Sequence, residues 1–381
     1  MIVFVENQQL FLQMALALAC GGVLSLVPRP LQWLPFATAI VAVATYGMAL
    51  PAVGAVTALV FVSAKQIRLT PSGEARPAQQ RWRFAVLGIA LLSVAFVALR
   101  LVSWGSVAHG GPFSWQVSLI DMWLALRLAT FLYDTGSGRA RDIQAGAFFQ
   151  WAFLPFQAFG PLLRYPAYVT QRAAEGKASA SAPAGATARH ALLGVAQIAA
   201  AMAIGGGQAM LGRSVSHVVA QGVALAFSAP WTFYLLMAGY FKMMELAARG
   251  CGLTLPPSFN NPFAKRNLSA FWSSWNMSAT AAFRDTLFYQ RWKRPSVDLY
   301  INTFIIFVLV GAWHGANAYW LLWGTLHALG FCAYLAVSRR WPGGVSDGRA
   351  TALASWALTY VFVVSCWAVP PQIIKLGTGL F

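Results

Sequence analysis

Long apolar runs restrict what this chain can become more than any other feature. From Leu299 to Val337 it reads LYINTFIIFVLVGAWHGANAYWLLWGTLHALGFCAYLAV, two hydrophobic stretches separated by a short polar knot, Trp313-His314-Gly315-Ala316-Asn317. Comparable runs lie near Leu10–Val27, Leu31–Met48, Val53–Ser63, Phe84–Val102, Phe113–Tyr133, Ala191–Leu211, Val218–Met244 and Thr351–Val369. Since a bilayer asks for about 20 residues per crossing helix, these runs, some of them pairs or half-spans, predict about ten crossings. Hydrocarbon leaves no water to satisfy backbone groups, so crossing segments without a barrel pattern must be helices. The fold class expected is therefore an all-α polytopic membrane protein.

Composition agrees. Hydrophobic residues make up 58% of the 381 and charged residues only 10%, against roughly a quarter charged in soluble domains. The net charge of +17 raises the question of nucleic acid, but the basic residues are spread through short loops between the runs rather than gathered on one face. Lys65, Arg68, Arg76, Arg81 and Arg83 share one loop region, and Arg139, Arg141, Arg164, Arg172, Lys177 and Arg189 mark another. The stretch Ser103–Ser114 has no Lys or Arg. That alternation is the positive-inside pattern, with Ser103–Ser114 outside, and it argues for membrane topology and no nucleic-acid partner. Basic cytoplasmic loops would also attract an anionic donor such as coenzyme A. Cys20, Cys251, Cys332 and Cys366 are scattered with no CxxC or Cys/His spacing, so no metal site or disulfide frame is expected. Met1–Gln9 lacks the basic region of a secretory signal, so the first apolar run reads as a retained span.

One membrane-embedded domain, 1–381, is expected. Its first part, 1–110, carries little a catalyst needs and reads as scaffold. Arg172–Arg189, RAAEGKASASAPAGATAR, is small and polar and reads as a flexible cytoplasmic linker. Gly146–Tyr165 is apolar but broken by Pro155, Gly160 and Pro161, which suits a re-entrant or interfacial pair of half-helices. Ser118–Asp134 places Asp121 and Arg127 inside an apolar helix, with Asp134 at its end; charges there cost a few kcal/mol unless paired, so each is expected to bind another helix or line a cavity. Over Leu268–Gln290, Ser269, Ser273, Asn276, Thr280 and Arg284 fall on one stripe at about 100° per residue, so a continuous helix with a polar face is expected. An imidazole in hydrocarbon must face protein or a wet cavity, which makes His314 the leading candidate for chemistry. His327 lies 13 residues on, about 220° around a continuous helix, and is expected on another face, as a structural residue or one that supports the site from behind.

The WHGAN knot with its flanking YWLLWGTLH, and the upstream FWSSWNMSATAAFRDTLF, resemble the membrane-bound O-acyltransferase family, in particular its bacterial branch of polysaccharide and teichoic-acid enzymes. The resemblance runs from about Ser118 to the end, with a family-like core over 118–337, and is strongest over Asn260–Leu335. SLIDMWLALRLATFLYD and LPFQAFGPLLRY match further family elements, with Asp134 and Arg164 at their ends. The family implies helices around a central cavity and a catalytic histidine that maps to His314. Its second catalytic position falls in Ser274-Trp275-Asn276, where bacterial members typically read RWH, so Asn replaces His. Asn276 cannot take a proton; it can orient the acceptor or steady an oxyanion. Trp275, Trp313, Asn317, Arg284, Asp285 and Arg164 are the expected supporting or pocket residues.

The resemblance implies transfer of an acyl group, such as acetyl, from an acyl-CoA or acyl-carrier thioester to a hydroxyl of an envelope glycan or lipid. It implies an enzyme of the bacterial inner membrane with no permanently bound cofactor, working beside periplasmic or envelope assembly proteins. No GxSxG, HExxH or GxxxxGK[ST] occurs, so serine-hydrolase, zincin and P-loop chemistries have no support. The alternatives are an acyltransferase of lipids or secondary metabolites, a transporter, or a non-catalytic assembly partner in polysaccharide export.

Overall fold

A computed structural model describes residues 2–26, 30–46, 50–108, 118–157, 159–174, 184–214, 218–288, 295–314, 317–341 and 348–378. Helices dominate them: α1 (Ile2–Ser25), α2 (Pro30–Tyr46), α3 (Leu50–Arg68), α4 (Ala78–Ala108), α5 (Ser118–Gly136), α6 (Ala145–Ala152), α7 (Tyr165–Ala173), α8 (Ala184–Ser214), α9 (Val218–Gly250), α10 (Leu268–Trp272), α11 (Met277–Phe283), α12 (Pro295–His314), α13 (Ala318–Arg340) and α14 (Arg349–Thr378). No strand forms among the described residues beyond an isolated bridge between Leu69 and Ala75. The protein is an all-α membrane protein. Thr187–Gly207, Ala318–Arg340 and Arg349–Ala368 are each long and apolar enough to cross a bilayer, and Met14–Ser25, Gln32–Val43 and Leu299–His314 are shorter apolar helices. Large apolar side chains face outward, Leu358 at 74% and Leu192 at 70% exposure among them, which water would penalise and lipid does not.

The chain packs as two compact units. The first comprises Met1–Leu193 and Tyr240–Pro256, the second Gly194–Gly239 and Pro257–Phe381, so α8 and α9 each contribute to both. In the first unit α4 lies along α5, and Gly136 permits the approach because a Cβ there would run into Ala85. Around it Phe131, Phe148, Trp151 and Tyr165 form an aromatic core, with Phe131 and Phe148 ring centres 4.6 Å apart. The second unit is built on the antiparallel pair α12 and α13. Gly311 and Gly324 lie at their crossing, where a Cβ would strike the Trp320 and Phe307 carbonyls; small residues of this kind let membrane helices come close.

Two sequence expectations change in the structure. The continuous helix over Leu268–Gln290 is instead α10, a break at Ser273–Asn276, α11 and a π-turn at Arg284–Phe288, with 289–290 outside the described residues. The cause is local: Asn276 takes a left-handed φ of 42°, a conformation Asn tolerates better than most residues. The strand-like segment before it competes for the backbone, Asn260 N–H donating to Ser274 O at 3.0 Å and Met277 N–H to Ser258 O at 2.7 Å. The expected linker Arg172–Arg189 also meets helix at both edges, since α7 reaches Ala173 and α8 begins at Ala184, while 175–183 lie outside the described residues. Alanine is the strongest helix former, and the small residues of this stretch are largely Ala. The broken segment Gly146–Tyr165 appears as α6, a short 3-10 turn at Pro155–Gln157 and a non-helical entry to α7.

Candidate functional site

Asp134 and Arg164, at the ends of the two upstream motifs, meet each other in the first unit. Arg164 donates from Nε to Asp134 Oδ2 at 2.9 Å and from Nη2 to Oδ1 at 2.5 Å, while its guanidinium lies 5.3 Å over the Tyr133 ring. Asp134 is fully buried. This two-point clamp joins α5 to the N-terminus of α7, an anchoring task within the first unit. Arg127, on the same face of α5 as Thr130 and Asp134, is also buried. The expectation for the Asp121 side chain lies outside the described residues.

The knot and the upstream motif fold together in the second unit. His314 ends α12 half-buried, its ring stacked on Trp320 at 4.6 Å and 19°, with Trp313 at 4.9 Å and Trp323 at 5.6 Å edge-on. Phe233 of α9 spans the two motifs: it meets His314 edge-on at 6.4 Å and stacks on Trp275 at 6.3 Å and 13°. Trp313, buried, receives Phe283 at the end of α11 at 5.3 Å. The helix that Asn276 opens is thus packed against the knot.

Of the residues expected from sequence, this brings together His314, Trp313, Trp275 and the segment carrying Asn276. Asn276 is 7% exposed, makes no side-chain cap to α11, and its Oδ1 has no hydrogen-bond partner among the described residues. Such an orphan buried acceptor costs about 1–3 kcal/mol, a cost a bound donor would remove. Asn317 turns out to cap α13, its Oδ1 accepting from the Trp320 backbone N–H at 3.1 Å, which sets the start of the helix that carries the ring on which His314 stacks. Arg284 is half-exposed and lies 3.6 Å from its neighbour Asp285, and the rest of the expected polar stripe disperses, Ser269 and Ser273 being exposed and Thr280 bonding to the Trp275 carbonyl.

Three members of the cluster were not among the expected site residues: Phe233, Trp367 and Trp320, the last lying in the YWLLWGTLH flank, with Trp367 touching Phe233 at 5.2 Å and Trp320 at 6.0 Å. A surplus of Trp in apolar helices was the available signal for two of them; Phe233 had none, because it arrives from α9 just after Pro230. His327 is fully buried. It lies against Trp323 at 4.2 Å, and the same indole meets His314. The helix is interrupted after His314, so the angular estimate for a continuous helix did not apply.

No family model matches the chain. Among curated proteins it is similar to one named probable alginate O-acetylase AlgI of Pseudomonas aeruginosa, 28% identical over 148 residues, covering 38% of this chain and 27% of the relative. A peptidoglycan O-acetyltransferase of Helicobacter pylori matches at 27% over 158 residues, 40% of this chain and 29% of the relative. A teichoic acid D-alanyltransferase of Bacillus subtilis matches at 28% over 149 residues, 35% of this chain and 37% of the relative. In each case the match spans well under half of the relative's length. Over about two fifths of its length, the chain is thus similar to bacterial acyl-transfer proteins of the membrane-bound O-acyltransferase type.

Proposed function

We propose that this protein is a membrane-bound O-acyltransferase that moves an acyl group, such as acetyl, from an acyl-CoA or acyl-carrier thioester to a hydroxyl of a cell-envelope glycan or related acceptor. His314 serves as general base. As the acceptor oxygen attacks the thioester carbonyl, the imidazole takes its proton; when the tetrahedral intermediate collapses, the thiol leaves with that proton and an ester remains. An alcohol is too weak an acid to ionise unaided, and a positioned base is worth typically 10²–10⁴-fold. The reaction balances without a metal or redox partner.

The observation that supports this reading is that one packed unit holds both a half-buried His314 and a buried Asn276 whose Oδ1 has no partner among the described residues. Oδ1 is an acceptor, so it suits a hydroxyl proton better than an oxyanion, and orienting the acceptor is the role we assign to Asn276. The relatives support transfer chemistry more than substrate: their names give three different polymers and one kind of step. Basic loops suit a cytoplasmic thioester donor, and the bacterial inner membrane, crossed several times, is the expected location. Envelope assembly proteins are the natural partners.

The test is His314→Ala in cells, with O-acyl content of envelope glycans and lipids read by mass spectrometry. Loss of one ester class with protein level unchanged supports the assignment. Retention of every ester seen with the parent protein would exclude it and leave transport or assembly.

A further inference from the structure

In the second unit, three buried ring nitrogens lack hydrogen-bond partners among the described residues. His327 is fully buried, and its Nδ1 is 2.9 Å from the Trp323 carbonyl. A carbonyl only accepts, so Nδ1 carries the proton and Nε2 presents a bare lone pair. Among the described residues that Nε2 has no hydrogen-bond partner, and neither do the indole N–H groups of Trp272 and Trp323. The three rings are in mutual contact, His327 with Trp323 at 4.2 Å, His327 with Trp272 at 5.1 Å and Trp272 with Trp323 at 5.8 Å. Phe307 and Phe362 close the His327 ring with carbon, at 6.0 and 5.9 Å.

Two donors and one acceptor restrict what can fill such a place. A metal cation meets the wrong end of the indoles. A carboxylate or phosphate could accept from both indoles but would set oxygen lone pairs against Nε2. An acyl chain satisfies none of the three. A neutral oxygen bearing a hydrogen can accept from N–H groups and donate to Nε2.

We propose that Trp272, Trp323 and His327 form a binding site for one neutral hydroxyl oxygen, supplied by water or by an alcohol. Trp323 borders both this site and His314, so under the acyl-transfer reading the alcohol would be the acceptor's own or a neighbouring hydroxyl; the site itself does not depend on that reading. The chain has five histidines, which makes a direct test practical. The full protein, labelled with ¹⁵N-histidine and placed in lipid nanodiscs, is studied by solid-state NMR, and His327→Gln identifies the His327 signals. A hydrogen-bonded Nε2 is shifted upfield of a bare one. An upfield-shifted Nε2 in buffer that does not respond to added methyl glucoside assigns the site to water. A bare Nε2 that shifts upfield saturably with methyl glucoside assigns it to an alcohol. A bare Nε2 under both conditions overturns the proposal. None of these outcomes requires acyl transfer, so failure here and failure of His314→Ala are separate results.

Discussion

Asp134 with Arg164 and Asn276 with His327 are both sets of polar groups buried in apolar helices, and they differ in how completely they are satisfied. In the first unit the carboxylate and guanidinium answer each other at two points and are backed by a ring. In the second, Asn276 Oδ1 and His327 Nε2 face no partner among the described residues. A closed pair holds two elements together and meets the need of each buried charge. An open acceptor in a dry interior is a standing cost, and such costs are retained where a substrate or water meets them. The contrast separates satisfied from unsatisfied polar groups among residues that looked alike in the sequence.

The strongest way to break this contrast is His314→Ala, which should lower acyl transfer at least 10²-fold with the fold intact, checked by transfer assays beside size-exclusion profiles. Asp134→Ala should do the reverse. Removing one partner of a buried pair costs about 3–5 kcal/mol, so unfolding temperature and yield fall while turnover per folded molecule is kept; normal stability with lost turnover would move Arg164 back into the site. Next comes Gly324→Ala, which forces a methyl into the Phe307 carbonyl and should cost about 1–3 kcal/mol as overpacking, read as a lowered melting temperature. The smallest effect sharpens the picture most. Asn276→Gly keeps the left-handed backbone and deletes the amide, so turnover should fall several-fold, in line with about 0.5–1.5 kcal/mol for one hydrogen bond, with donor affinity unchanged. Asn276→Ala adds about 1–2 kcal/mol of backbone strain and should show lower stability besides.

Much of this was legible early because membrane helices obey a one-dimensional rule. Apolar length announced the all-α fold, and the break at Pro155, Gly160 and Pro161 announced the interrupted segment, since Pro and Gly act locally. The knot named His314 before any contact was visible. The stripe through Ser269, Ser273 and Asn276 failed because periodicity assumes an unbroken helix, and residues 258–260 pull the Ser274 carbonyl and Met277 amide out of it.

By itself, the sequence determined that this chain lives in a membrane as helices and carries one histidine where hydrocarbon tolerates few polar groups, because burial of apolar area and backbone satisfaction depend on composition and local order alone. Only the tertiary structure decided which polar residues are spent on each other, and that Phe233 and His327 belong to the same cluster as His314. Those facts depend on contacts between segments far apart in the chain, and side-chain partners are chosen by packing that no single segment encodes.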